Sequence, residues 1–305
     1  MRSPTIEGVS AQQGIPFLKG HGTENDFVIV PDPDGAVELS AAQVRRLCDR
    51  RAGIGADGVL RVVRTARLPA GTAAAELADE AEWFMDYRNA DGSVAEMCGY
   101  GVRVFVHYLH RAGFVEGGDG TEVAVATRAG VRWVRLGKNG AELTVRMGRA
   151  ELPEDEVRVR VDGHERPARK VGMGNPHAVV FVDDLAEAGA LLQPPAVTPA
   201  AAYPEGVNVE FVVDRGPGHV ALRVHERGSG ETRSCGTGAC AVMVAAARRD
   251  GADPRRDGVA ATYAVDVPGG RLVISELPDG TVEMTGPAVL VAEGELDAEW
   301  WAAAG

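Results

Sequence analysis

The same punctuation occurs twice in this chain: "AEMCGYGVR" at 95–103 and "RSCGTGA" at 233–239 each place a cysteine before Gly-x-Gly and lead at once into an apolar run. The runs, "VRVFVHYLHRAG" and "CAVMVAAARRDG", have no polar face wide enough for a surface helix, so each predicts a buried helix closed by glycine. A helix of that kind must be surrounded by other structure. The flanking segments supply it, because "FLKG", "DFVIV", "GVLRVVR" and "EWFMDYR" before the first turn read as strands, as do "AVVFV", "GVNVEFVV" and "HVALRVHE" before the second. Each half is thus strands, a glycine-rich cysteine turn, a buried helix and more strands. The expected fold is α+β, in two pseudo-symmetric domains with the active site in the cleft between them.

Other local signals are weaker. "SAAQVRRLCDRRAG" predicts a helix with Ser40 as N-cap and Gly53 just past its end. The Ala-rich stretch Ala66–Ala81 reads as a surface insertion, and the first dozen residues as a loose leader. The domain boundary is expected near Ala129, in "ATRAG".

Composition narrows the function. A formal charge of −12 works against nonspecific binding to nucleic acid or anionic membrane. No stretch approaches the roughly twenty apolar residues of a spanning helix, and the opening residues lack the apolar block of a signal peptide. A small-molecule function in the cytoplasm is the expectation. Four scattered cysteines, Cys48, Cys98, Cys235 and Cys240, do not form a disulfide framework, and no histidine stands at zinc-motif spacing from one, so reduced thiols and no metal are expected. Cys48 and Cys240 lie inside apolar helices and are assigned to the core.

A helix start presents unpaired N–H groups and the positive end of the helix dipole, which suits an anion and lowers a thiol pKa from about 8.5. Cys98 and Cys235 sit at such starts. Two thiols brought together suit inversion at a carbon acid: one removes the α-proton from one face and the other returns a proton to the opposite face. Backbone amides preorganised at the substrate carboxylate would stabilise the carbanion, so no cofactor is needed. Lys19, Lys138 and Lys170 are the chain's only lysines, and none has a setting that suggests pyridoxal chemistry. "CGTGAC" lacks the Lys-Ser/Thr ending of a P-loop.

"FLKGHGTENDFVIV", "NADGSVAEMCGYG", "GMGNPH", "GVNVEF", "ERGSGETRSCGTGAC" and "TGPAVLVAEG", in this order, make the chain resemble the diaminopimelate epimerases. The resemblance implies that each domain is a mixed sheet wrapped around a central helix. It also implies that the last strand returns to the first domain, giving 14–129 plus 285–301 and 130–284. It places the catalytic pair on Cys98 and Cys235. The substrate contacts it implies are Asn25, Asn89, Asn175, Asn208, Glu226 and Arg227, with backbone donors at Gly99, Gly236 and Thr237. His177 and Glu226 are the residues implied to polarise the thiols. Asparagine offers donors and acceptors to an amino acid end group, and arginine can grip a carboxylate with two parallel bonds. Taken singly, each of these would be an ordinary turn or surface residue; their joint placement favours function.

One residue departs from the family: Tyr100, expected to bind substrate through its backbone N–H with its ring near the α-amino or carboxylate group, stands where an asparagine is usual and where the related proline racemases carry histidine. The implied reaction is conversion of LL- to meso-diaminopimelate, for lysine and cell-wall synthesis, with a homodimer as the implied assembly. Two alternatives stay open, an epimerase of another amino acid marked by Tyr100, and a silent amino-acid-binding protein.

Overall fold

The computed structural model describes residues 14–140, 142–161 and 163–303, so the expected leader lies outside the described residues. By its contacts the chain divides into two units, residues up to Val145 with those from Pro287 onward, and Arg146–Gly286.

The first unit runs β1 (Ile15–Gly22), β2 (Asn25–Pro31), α1 (Ala41–Cys48), β3 (Gly58–Arg64), β4 (Trp83–Asn89), α2 (Gly99–Arg111), β5 (Glu122–Thr127), β6 (Gly130–Leu136) and the start of β7 (Glu142–Arg149). Pairing of β1 with β2 is antiparallel, β2 with β3 parallel, β3 with β4 antiparallel and β4 with β5 parallel; β5, β6 and β7 then form an antiparallel meander. The expected boundary at Ala129 falls in the turn between β5 and β6. These strands pair along Glu122–Arg135 to Thr127–Gly130, and that hairpin keeps the chain in the first unit until β7.

The second unit holds β8 (Val157–Val161), β9 (His164–Gly172), β10 (Pro176–Phe181), β11 (Ala196–Thr198), β12 (Asn208–Gly216), β13 (His219–Glu226), β14 (Gly230–Thr232), α3 (Gly236–Arg249), the single turn α4 (Pro254–Asp257), β15 (Ala261–Val267), β16 (Gly270–Glu276) and β17 (Thr281–Pro287). The series recurs: β9 with β10 antiparallel, β10 with β12 parallel, β12 with β13 antiparallel, β13 with β15 parallel, then β15, β16 and β17 antiparallel. The last strand, β18 (Val289–Leu296), pairs antiparallel with β1 and so returns to the first unit.

In each unit the sheet surrounds one helix. α2 packs against strands β1 to β6 and β18, and α3 against β9, β10, β12, β13, β15 and β16. Val102, Val104, Phe105, Val106 and Leu109 of α2 are fully buried, as are Ala239 to Val244 of α3. A helix apolar on all sides meets that condition only with structure on all sides.

Two local expectations change. α1 ends at Cys48, earlier than expected, because Asp49 Oδ1 accepts the N–H groups of Arg51 (2.8 Å) and Ala52 (2.7 Å) and turns the chain before Gly53. The Ala-rich insertion forms short 3-10 turns, and Leu68, Ala74 and Leu77 pack on a cluster of Val63, Ala81, Phe84 and Ala126. Since α2 is the centre of its unit, Phe105→Ala is expected to cost about 3–5 kcal/mol of stability. Urea unfolding checks this, and an unchanged midpoint would remove α2 from the core.

Candidate active site

Both cysteines are helix N-caps. Cys98 is extended (φ −141°, ψ 123°) and its Sγ accepts the Gly101 N–H at 3.4 Å; Cys235 (φ −123°, ψ 115°) accepts the Gly238 N–H at 3.4 Å. A cap of this kind anchors the sulfur at the positive helix end. Gly99 and Gly236 are the first residues of the two helices, with Tyr100 and Thr237 following.

Asn25 approaches Cys98 directly: its Oδ1 lies 3.6 Å from Sγ, and its Nδ2 donates to Asp57 at 2.9 Å. Asp57 belongs to a network in which Arg50 binds Asp26 with both nitrogens (2.9 and 2.8 Å) and Asp57 at 2.7 Å, while Lys19 binds Asp26 at 2.6 Å. Burial alone would raise the Asp26 carboxyl, but Arg50 and Lys19 outweigh it and hold the group well below its usual range. Burial and the neighbouring Asp26 charge raise the Asp57 carboxyl. The hairpin that presents Asn25 turns through Thr23 (φ 50°) and Glu24 (φ 62°), left-handed conformations that non-glycine residues seldom take. Thr23 is held by Arg103 at 3.3 Å.

Tyr100 does not project as its sequence position suggests. It is 2% exposed, and its ring lies under the Arg103 guanidinium, 4.9 Å from centroid to Cζ. Asn89 ends β4, where its amide donates to Ser93 Oγ at 3.0 Å.

Around Cys235, Thr237 Oγ1 is 3.6 Å from the sulfur, and Glu226, the last residue of β13, is within hydrogen-bonding reach of the thiol while also accepting from Thr232. Asn208 Oδ1 accepts the Arg227 N–H at 2.8 Å and its Nδ2 donates to the Pro176 carbonyl at 3.2 Å. Arg227 itself is exposed and donates to the Glu205 carbonyl at 3.3 Å. His177 is completely buried; its Nδ1 meets Glu210 Oε1 at 2.6 Å and its Nε2 meets Asn175 Oδ1 at 2.8 Å.

The expectation of two acidified thiols fails at Cys235. Burial first, then the nearby Glu226 and Glu210, push this thiol well above its ordinary value, against the Thr237 and Gly238 contacts that pull it down. Burial also raises the Glu226 carboxyl. Cys48 and Cys240 are buried core residues as expected, and burial pushes the Cys48 thiol up to about 12.

Sequence reasoning missed Asp57, Arg103 and Glu210. The first two carry no local signal. Glu210 did leave one, since it is a lone charge in the apolar strand "NVEFVV", two positions after Asn208.

The two units match position by position. Phe27 pairs with Gly58 where His177 pairs with Asn208 in the parallel ladders. Asn25 and Asn175 each precede those residues by two positions, and Asn89 and Glu226 each end a strand nine residues before the cysteine. The duplicated site, a capping cysteine with amide and carboxyl groups ranged beside it, matches a known family: residues 17–153 and 169–291 fit the one described as diaminopimelate epimerase. The chain belongs to that family. The diaminopimelate epimerase of Streptomyces coelicolor is 68% identical over 286 residues, 94% of this chain and 96% of that protein. That of Thermobifida fusca is 50% identical over 281 residues, 92% and 97% of the two. Among solved structures, a PhzF-family phenazine biosynthesis protein from Bacillus anthracis superposes with a TM-score of 0.67 at 16% identity, covering 93% of this chain and 99% of that one. A hydroxyproline epimerase from Agrobacterium vitis gives 0.63 at 16%, covering 96% and 98%. These two share the fold. Membership in the diaminopimelate epimerase family makes the chain an isomerase of the epimerase class. No helix among the described residues is long and apolar enough to cross a membrane.

A raised pKa means little thiolate at neutral pH. Cys235 is therefore expected to alkylate slowly with iodoacetamide at pH 7 and faster as pH rises above the ordinary thiol range. Peptide mass spectrometry reads this, and complete Cys235 labelling at pH 7 in the folded protein would contradict it.

Proposed function

We propose that the chain interconverts LL- and meso-diaminopimelate by a two-thiol mechanism. The observation that carries the reading is the paired N-cap cysteines, Cys98 and Cys235, in a chain 68% identical to a protein named diaminopimelate epimerase. The thiolate of one cysteine takes the α-proton, leaving a carbanion conjugated with the substrate carboxylate. The thiol of the other delivers its proton to the opposite face. The product leaves with the thiol and thiolate roles exchanged, so atoms and charge balance without a redox partner or cofactor. Helix-start amides at Gly99, Tyr100, Gly236 and Thr237 suit the carboxylate on which charge develops. Asn25, Asn89, Asn175, Asn208, Glu226 and Arg227 are assigned to the amino acid groups of the substrate, and His177 and Glu226 to support of the thiols.

The buried Tyr100 ring, occupied with Arg103, favours diaminopimelate over a different amino acid, because a packed ring has no need to shape a new pocket. Retention of both cysteines weighs against a silent binding protein. Four free cysteines and a mechanism that needs two reduced thiols suit the reducing cytoplasm. A second copy of the chain is the assigned partner, with the exposed Val289 and Val291 of β18 as an apolar strip for it. Sedimentation at the 32.0 kDa mass of one chain would argue against that assembly.

The reaction is tested in deuterated water with LL-diaminopimelate and reductant. Deuterium should enter the α-position as meso product forms, and Cys98→Ala and Cys235→Ala should each lower turnover by about 10²–10⁴-fold or more. Exchange into another amino acid alone would move the substrate assignment, and turnover surviving either substitution would overturn the two-thiol mechanism.

A further inference from the structure

The duplicated framework holds different side chains beneath its two cysteine turns. In the first unit a Cβ placed on Gly101 would meet Leu60 at 3.3 Å and Phe27 at 3.5 Å; in the second, one placed on Gly238 would meet Glu210 Oε1 at 2.7 Å and Cys235 Sγ at 3.2 Å. Register makes these positions equivalent. Leu60 stands two residues after Gly58, which pairs with Phe27, and Glu210 stands two after Asn208, which pairs with His177. An apolar pair in one half is thus replaced by a carboxyl and an imidazole in the other. Glu210 is completely buried, and its Oε2 has no hydrogen-bond partner among the described residues. A carboxyl and an imidazole buried this completely are costly to hold, so a plain core position would be better filled by the leucine its sister half uses.

We infer that Glu210 is a positioning residue of the epimerisation: wedged between His177 and the first turn of α3, its carboxyl keeps Cys235 as the proton-donating thiol of the resting enzyme and fixes the Asn175 amide. The inference rests on the two-thiol reading for its role in turnover. The ionisable groups around Cys235 are Glu226 from the end of β13, Glu210 from β12 and His177 from β10; Glu210 itself faces His177, Cys235, Glu226 and the hydroxyl of Tyr203, which donates to the His177 carbonyl at 3.2 Å. Two carboxyls therefore stand where the first unit has Leu60 and Asn89, and both oppose a negative sulfur. The Gly238 amide that caps the sulfur belongs to the same turn that Glu210 touches, so the positive helix end is shared between thiol and carboxyl.

The same carboxyl acts in the other direction through His177. Glu210 and Asn175 bracket the His177 ring, the carboxyl at Nδ1 (2.6 Å) and the amide at Nε2 (2.8 Å), so the carboxyl fixes the ring against which the amide rests. In the first unit Asn25 rests instead on Asp57 through its NH₂, with its Oδ1 toward Cys98.

The test is the pH dependence of Cys235 in Glu210→Gln, which keeps shape and hydrogen bonding and removes the charge. Loss of a neighbouring negative charge lowers a thiol pKa, so the midpoint of Cys235 alkylation should fall by about one pH unit, a ~tenfold faster reaction below both midpoints. Cys48 and Cys240 should label as before. In turnover of LL-diaminopimelate the alkaline limb of the kcat/KM profile should move to lower pH, because the donor thiol is lost earlier. Glu210→Leu, which copies the sister half, should do the same and also raise KM as Asn175 loses its anchor. An unmoved Cys235 midpoint in both variants overturns the inference, as does faster labelling of all four cysteines together, which would make Glu210 a packing residue only. The labelling needs no substrate, so failure of wild-type epimerisation and failure of this inference are separate results.

Discussion

A sulfur capping the first turn of a helix that has no exposed side is the contact on which this molecule is organised. The cap requires an extended cysteine, a glycine three positions on that lets neighbouring side chains approach the helix backbone, and a helix whose amides converge on the sulfur. Burial of the helix then requires a sheet that bends around it. The alternation of antiparallel and parallel pairings, the same in both units, brings β2, β3 and β4, or β10, β12 and β13, to one end of the helix with their polar residues at the strand termini. The strands that pack each helix are the ones that carry the residues beside its cysteine.

Duplication of the framework does not duplicate the chemistry. Phe27 and Leu60 make the floor under Cys98 apolar, while His177 and Glu210 make the floor under Cys235 ionisable, and Asn89 is answered by Glu226. The proposed two-thiol reaction therefore meets different surroundings at its two cysteines. The elevated thiol of Cys235 and the ion-paired surroundings of Asn25 express that inequality in charge.

Much of this is legible in the sequence, and the exceptions have physical causes. The cysteine turns, both buried helices and most strands can be read because capping, glycine and apolar periodicity are local signals. The end of α1 is not legible because one side chain, Asp49, closes the helix from outside its apolar pattern. The direction of the Tyr100 ring, which lies against Arg103, is not legible because position along the chain says nothing of where a side chain packs. Asp57 and Glu210 became site residues only through strand pairing that brings them across 32 positions to Asn25 and 33 to His177.

What the sequence determined by itself is the pair of capped helix starts and the family to which the chain belongs, since each motif is a short run whose conformation depends on its own residues. The raised thiol of Cys235 and the partner that each asparagine amide meets were decided by the tertiary structure. Those properties are set by desolvation and by charges carried on other strands, and such effects act through space at distances that chain order does not encode.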